Sequence, residues 1–323
     1  TLDRSSAASD VYKRQEFHAC VSVLDNVQKV TVKGSKKFPN TVAGFESFSE
    51  WEKKHLKEAL PIVYTMEATG VYHENLCHFL YACGSHVSVI VPSKSRNYAK
   101  SLGISTKNDK VDAKTLAQMG AERSQEAWKP FSPSMMVLRK TTRQHENLQQ
   151  LKTQISNQLH AHTSGHVVNE VVKNQLFEVI ELLERQISDL EAEIKKLITE
   201  DTILNAKWEN IKKIPGIGLL SFAVLVAETN GFFLFTNERQ LVKYAGYDVV
   251  ENQSGNHVGK TKISKKGNHH IRRILYMPAL SVIKVKNTTF GHLWDRVFDK
   301  TKIKMKAYVA VQRKLLTIVF HIW

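Results

Sequence analysis

Cysteine is scarce in this chain. Cys20, Cys77 and Cys83 form an odd set without a CxxC pair, so neither a disulfide framework nor a cysteine zinc site is indicated, and a reducing compartment is expected. Long apolar runs are missing too. The most nearly unbroken one, Ile217 to Ala227, contains Ser221 and is too short to span a bilayer. The N-terminus has no charged-then-apolar export pattern. There is no internal repeat and no low-complexity tract. Acids are also few: 31 Asp and Glu face 46 Lys and Arg, for a net charge of +15. The 323 residues, 42% hydrophobic and 24% charged, are those of an ordinary globular chain long enough for two domains.

A field of that sign attracts polyanions. The charge is also concentrated. From Asn256 to Lys306 there are thirteen Lys or Arg and two acids, Asp295 and Asp299. Such a density suits phosphate contacts and counterion release, the alternative being a protein that is merely basic.

The first fifteen residues, TLDRSSAASDVYKRQ, lack periodicity, and their DVYKRQ resembles a translated transposon-end sequencing adapter. They are set aside as an artefact, residues 1–15. Phe17, Ala19, Val21 and Val23 then alternate as in a half-buried strand, and Val30 and Val32 continue it after a turn at Asp25-Asn26. Val42 to Leu56 has helical spacing, and Pro61 to Met66 is a short strand ending at Glu67. Gly70 to Cys83 reads as a helix, His86 to Val91 as a buried strand stopped by Pro92, and Asp109 to Arg123 as a helix. This order predicts an α/β three-layer domain with a mixed sheet, residues 16–135. Leu138 to His162 reads as a long polar helix. Leu176, Ile180, Leu183, Ile187, Leu190, Ile194 and Leu197 follow at steps of four and three, a heptad seam. It predicts a coiled-coil linker over 136–205, within or between chains, or else one long amphipathic helix. A mostly α C-terminal domain, 206–323, completes the chain.

Three constellations bear chemistry. Glu67 ends a buried strand, and Asp109 and Asp112 share one face of a helix start. Clustered carboxylates repel, and a pair of hard divalent cations relieves this; such a pair activates the attacking oxygen in phosphoryl transfer. Lys107, Lys110 and Lys114 flank the acids. The plainer reading is a helix-start charge beside a surface glutamate. Second, Ile214-Pro215-Gly216-Ile217-Gly218 resembles the turn of a helix-hairpin-helix, where the backbone at Gly216 and Gly218 meets a phosphate; a plain αα-hairpin is the alternative. Third, Ser254 lies beside Gly255 in a Gly-rich basic loop, with Lys260, Lys262, Lys265, Lys266, Arg272 and Arg273 downstream. A hydroxyl nucleophile needs activation, and cations stabilise a developing phosphorane; alone, such a serine is a turn former. His269 and His270 read as phosphate contacts or packing, not as metal ligands.

In this order the constellations resemble the DEDD-type transposases of bacterial insertion sequences. The resemblance is carried by MEATGVY (Met66–Tyr72), TKNDKVDAKTLA (Thr106–Ala117), IKKIPGIG (Ile211–Gly218), the stretch Gln240–Leu275 and AVQRKLL (Ala310–Leu316). It implies a Holliday-junction-resolvase-like, RNase H-like first domain and a serine-bearing last domain. Glu67 matches the second acidic position, Asp109 and Asp112 the third and fourth, and Ser254 the nucleophile that forms a phosphoserine link to DNA. It further implies Mg²⁺ or Mn²⁺ at the carboxylates and double-stranded DNA as substrate. A bridge RNA as guide is implied as well, and a homo-oligomer, dimer or tetramer, in which one subunit's serine completes another's acidic site. The expected location is the bacterial cytoplasm at the nucleoid, with no membrane partner.

The family's first aspartate is not matched. Counted from Phe17-His18-Ala19-Cys20 it falls at Val11, one residue after Asp10, so Asp10 is not assigned. A missing carboxylate weakens metal affinity, and the chain as written is expected to be impaired. The end at His321-Ile322-Trp323 reads as abrupt, as in a truncated chain. Two other functions fit parts of this pattern: a structure-selective nuclease using water, and a non-catalytic DNA- or RNA-binding protein.

Overall fold

The computed structural model describes residues 2–3, 15–56, 60–255, 257–259, 261–284 and 289–323; Asp10, Val11, Asn256 and Lys260 lie outside them. The chain divides into two compact units, Thr1–Pro130 and Phe131–Trp323. No helix among the described residues is long and apolar enough to cross a membrane.

In the first unit, β1 (Leu2–Asp3), β2 (Glu16–Leu24) and β3 (Val30–Pro39) form an antiparallel sheet in that order. The β2–β3 turn is held by Asp25, whose Oδ1 accepts from the Val27 and Lys29 amides at 3.0 and 2.7 Å. Then come α1 (Val42–His55), β4 (Val63–Glu67), α2 (Glu74–Ala82), β5 (His86–Ile90), α3 (Pro92–Ser101) and α4 (Asp109–Glu122). Thr41 caps α1 and Asn108 caps α4, each accepting from an amide in the first turn.

Two expectations change here. β2 is not half-buried, since His18, Cys20 and Ser22 are as enclosed as Phe17, Ala19 and Val21. Both of its faces carry packing. Phe17 and Ala19 join an aromatic core with Phe38, Phe45 and Phe48, whereas Cys20 joins Leu116 and Met119 of α4. Full burial of one such ring is worth about 2 kcal/mol. The single mixed sheet is also not seen among the described residues. The antiparallel β1–β2–β3 sheet and the parallel β4–β5 pair are separate ladders. A bulge between Val21 and Ser22 twists β2, and α4 packs on both β2 and β4, so helix packing joins the two ladders.

The second unit begins with an antiparallel helical hairpin, α5 (Pro133–Thr163) and α6 (Glu170–Glu200). The heptad seam closes within the chain: Leu183, Ile187 and Leu190 of α6 meet Leu148 and Ile155 of α5. After α7 (Thr202–Ile211), α8 (Leu219–Thr229) and α9 (Glu238–Ala245), the basic loop holds two small antiparallel ladders. In one, β6 (Val249–Val250) pairs with β9 (Lys262–Ile263); in the other, β7 (Gln253–Ser254) pairs with β8 (His257–Val258). The helices α10 (His269–Ile274), α11 (Tyr276–Lys284), α12 (Thr289–Thr301) and α13 (Lys304–Ile322) finish the unit. α8 is its centre: Phe222, Ala223, Leu225, Val226 and Ala227 are fully enclosed, packed with Leu241, Ile271, Leu315 and Val319.

Candidate active site

A parallel β pair delivers Glu67. β4 ends at this residue, opposite Ile90 of β5, and the chain turns there into a cleft. The cleft, about 630 Å³, is lined by Glu67 and Asp112 together, with Arg96, Lys100 and Lys107 also on its wall. Ser95 Oγ donates to Glu67 Oε2, and Thr69 Oγ1 donates to Oε1 at 3.5 Å. The carboxylate is thus held by neutral hydroxyls. Asp112 comes from the first turn of α4. The all-oxygen pair of Glu67 and Asp112 suits a hard divalent cation. Asp109 is not among the lining residues. Its charge instead acts on His18 of β2, whose pKa is lowered by burial and by Lys37, Lys110 and Lys114, with Asp109 opposing. Lys110 is exposed one residue further on.

Ser95, Arg96 and Lys100 belong to α3, a helix not expected from the sequence. Its signal was Pro92, read as a stop to the preceding strand. Proline at the first position of a helix removes only an amide that has no partner there, and Pro92 occupies that position.

Between α7 and α8, Gly216 takes a φ of +81°, and a Cβ there would lie 2.8 Å from Val282 Cγ1 and 2.9 Å from the Pro278 carbonyl. Gly216 is therefore required by packing on α11. Gly218 caps α8 with open space around it, leaving its backbone accessible.

Ser254 is exposed at the end of β7, directly opposite His257 of β8. Lys262, Lys265 and Lys266 are exposed on the same basic segment. The two other cations of this group are engaged. Arg272 donates to the Ala245 carbonyl at 2.7 Å and the Asn268 carbonyl at 3.3 Å, and Arg273 pairs with Glu146 at 2.9 Å. Lys260 lies outside the described residues.

Behind this segment is a polar cluster that sequence reasoning missed. Glu228, with no exposed side-chain surface, ends the apolar helix α8. Arg143 grips it with Nε at 2.6 Å and Nη2 at 2.9 Å, Arg139 adds a bond at 3.2 Å, and Asn268 Nδ2 donates at 2.6 Å. Burial pushes the Glu228 carboxyl up, but the Arg143 hydrogen bond, the charges of both arginines and Asn268 outweigh it and hold the pKa below the usual range. Arg139, Arg143 and Glu146 stand at i, i+4 and i+7 on α5, one face of the helix. Glu146 in turn accepts from or pairs with His270 Nδ1 at 2.5 Å. Glu146, His269 and His270 offer ligand atoms within 4.8 Å of one another. The charges of Arg143 and Arg272 reach His269, and Arg273 is bonded to Glu146, so this group is set among cations that oppose a metal ion.

Comparison with known proteins bears on both units. Residues 10–167 match the model of the IS110-type DEDD transposases, described as transposase. Residues 208–294 match the model described as transposase IS116/IS110/IS902 family. The chain is 30% identical over 310 residues to the pilin gene-inverting proteins of Moraxella bovis and Moraxella lacunata, covering 96% of this chain and 92% of each relative. It is also 30% identical over 144 residues to the transposase for insertion sequence element IS1111A of Coxiella burnetii, covering 43% of this chain and 38% of that one.

Proposed function

The chain belongs to the IS116/IS110/IS902 transposase family, and on that premise we propose that it cuts and rejoins DNA strands through a phosphoserine link at Ser254. The observation that carries the reading is the pairing of Glu67 with Asp112 in one cleft walled by Arg96, Lys100 and Lys107. Acids in the lining suit a divalent cation, and cations in the same lining suit a phosphate backbone. Glu67 and Asp112, which line the cleft together, would hold Mg²⁺ or Mn²⁺, with Asp109 outside that lining; a DEDD family suggests such a metal. Bound there, the cation would supply charge stabilisation to a phosphoryl oxygen.

The protein's own residues do the rest. Ser254 Oγ attacks the phosphorus, and its proton passes to His257 opposite. The Oγ–P bond forms, the P–O bond to the leaving strand breaks, and the leaving deoxyribose oxygen takes up a proton from water, His257 returning its own to solvent. Lys262, Lys265 and Lys266 balance the phosphorane charge. Reversal with a different strand rejoins the DNA. A bridge RNA selects both substrates, and the working form is a homo-oligomer on double-stranded DNA.

The test uses the full chain as it stands and, beside it, the full chain carrying Val11→Asp, the position at which the resemblance places the family's first aspartate. Each is incubated with supercoiled plasmids bearing the element's ends and its target, plus the flanking RNA, with and without Mg²⁺. Protein–DNA adducts and joined products that require Mg²⁺ are expected, with adducts absent in Ser254→Ala while DNA binding persists. Free ends without adducts would replace this reading with a nuclease. Binding with steep salt dependence and no metal requirement would replace it with a non-catalytic binder.

A further inference from the structure

We propose that Glu228 is a positioning residue for the Ser254 segment, acting through Asn268 and Tyr244 to fix the base from which the segment projects. The inference rests on the assignment of Ser254 as nucleophile and names the part of the fold that aims it.

The segment leaves α9 after Ala245 and re-enters the helical body at α10. Both ends converge on Glu228. Asn268 is the N-cap of α10: its Oδ1 accepts from the amides of His270 and Ile271 at 3.0 and 3.3 Å, while its Nδ2 donates to Glu228. At the other end, Tyr244 OH donates to the Glu228 carbonyl at 2.9 Å, and the Asn268 amide donates to the Tyr244 carbonyl at 2.7 Å. The base is then zipped. Lys265 N donates to Gly246 O at 3.2 Å, and Ser264 N donates to Asp248 O at 2.8 Å. A Cβ at Gly267 would lie 2.3 Å from the Tyr244 carbonyl, so the two strands of the base are in backbone contact.

The carboxylate therefore does two things. It balances Arg139 and Arg143, which anchor it to α5, and it holds the cap of α10 through Asn268, while the Glu228 backbone carbonyl holds the end of α9 through Tyr244. The hairpin bearing Ser254 is left exposed beyond this base. A buried carboxylate with every oxygen engaged is held in one geometry, and in-line attack by a hydroxyl tolerates little displacement. The arrangement fits a rigid base beneath a reactive tip.

The test separates aim from stability. Asn268→Ser keeps an N-cap oxygen and removes the donor to Glu228. Glu228→Gln removes the charge, and Glu228→Asp is the conservative control. Each is made in the full chain with Val11→Asp. For Asn268→Ser, the prediction is that binding to a 30-base-pair duplex of random sequence stays within about twofold. Hydrogen exchange over 247–267 accelerates about tenfold or more while 219–227 is unchanged. Adduct formation slows about tenfold or more at saturating DNA. Glu228→Gln shows the same pattern, and Glu228→Asp recovers part of the rate. If Glu228→Gln fails to fold, Asn268→Ser alone decides. Unchanged exchange over 247–267, or exchange raised equally throughout the second unit, overturns the proposal. If the parent chain forms no adduct, the assignment of Ser254 fails, while the exchange result still judges the role of Glu228 in holding the segment.

Discussion

Glu52 in the first unit and Glu228 in the second are both enclosed carboxylates on helices, at 3% and 0% exposure. Their partners differ. Glu52 accepts a hydrogen bond from Tyr64 OH at 2.7 Å, and burial pushes its carboxyl up to about 7 despite that bond and the charge of Lys53. Glu228 has two guanidinium groups and an amide, and is held in its charged form. Depth alone does not decide ionisation; what stands within hydrogen-bond reach does. One unit has buried a carboxyl whose pKa burial raises, and the other has buried a carboxylate fixed by half-exposed arginines.

The comparison can be broken by removing one carboxylate at a time. Glu228→Leu leaves Arg139 and Arg143 facing a fully apolar neighbour and is expected to cost the second unit about 3 kcal/mol or more. Hydrogen exchange during denaturant titration, read unit by unit, checks it; an equal loss in the first unit would show the cluster is not local.

The pH response should be opposite in the two units. For Glu52 the folded pKa is raised, so its contribution is fully present below the ordinary carboxylate pKa and is lost as pH rises through about 7. The loss is about 3 kcal/mol, and Glu52→Gln should flatten it. For Glu228 the folded pKa is depressed, so its contribution is present above the ordinary value and lost as pH falls through the folded one. Acidification from pH 7 toward 5 should therefore strengthen the first unit relative to its Glu52→Gln variant and leave Glu228's contribution intact. Parallel pH curves for parent and Glu52→Gln would contradict this.

Smaller effects separate backbone from side chain. Gly216→Ala forces a Cβ toward the Pro278 carbonyl at a φ of +81° and should cost the second unit about 2 kcal/mol. Asn108→Ala removes the cap of α4 and should cost the first unit about 1 kcal/mol. Thermal denaturation of each variant measures both.

Much of the first unit was legible in the chain because local periodicity dominates there. The β2–β3 hairpin, α1, β4, β5 and α4 all follow spacing that is visible in Phe17 to Val32, Phe45 to Trp51 and Leu116 to Met119. α3 was not legible, because its polar residues show no apolar stripe and Pro92 marks a start as readily as a stop. The two-sided burial of β2 was hidden for another reason: His18 and Ser22 read as solvent-facing until α4 covers them. In the site, strand-end and helix-start signals grouped Glu67, Asp109 and Asp112; Glu67 and Asp112 line one cleft, and Asp109 is not among its lining residues. The Glu228 cluster could not be read. Its partners Arg139, Arg143 and Asn268 are distant in sequence, and the only local sign is a glutamate closing an otherwise apolar helix.

The most direct measurement is mass spectrometry of the adduct from the Mg²⁺ reaction, digested with nuclease and protease. The account predicts a nucleotide phosphate on the peptide containing Ser254 and on no other. Cleaved DNA with that peptide unmodified, or with the phosphate on a different side chain, would contradict it.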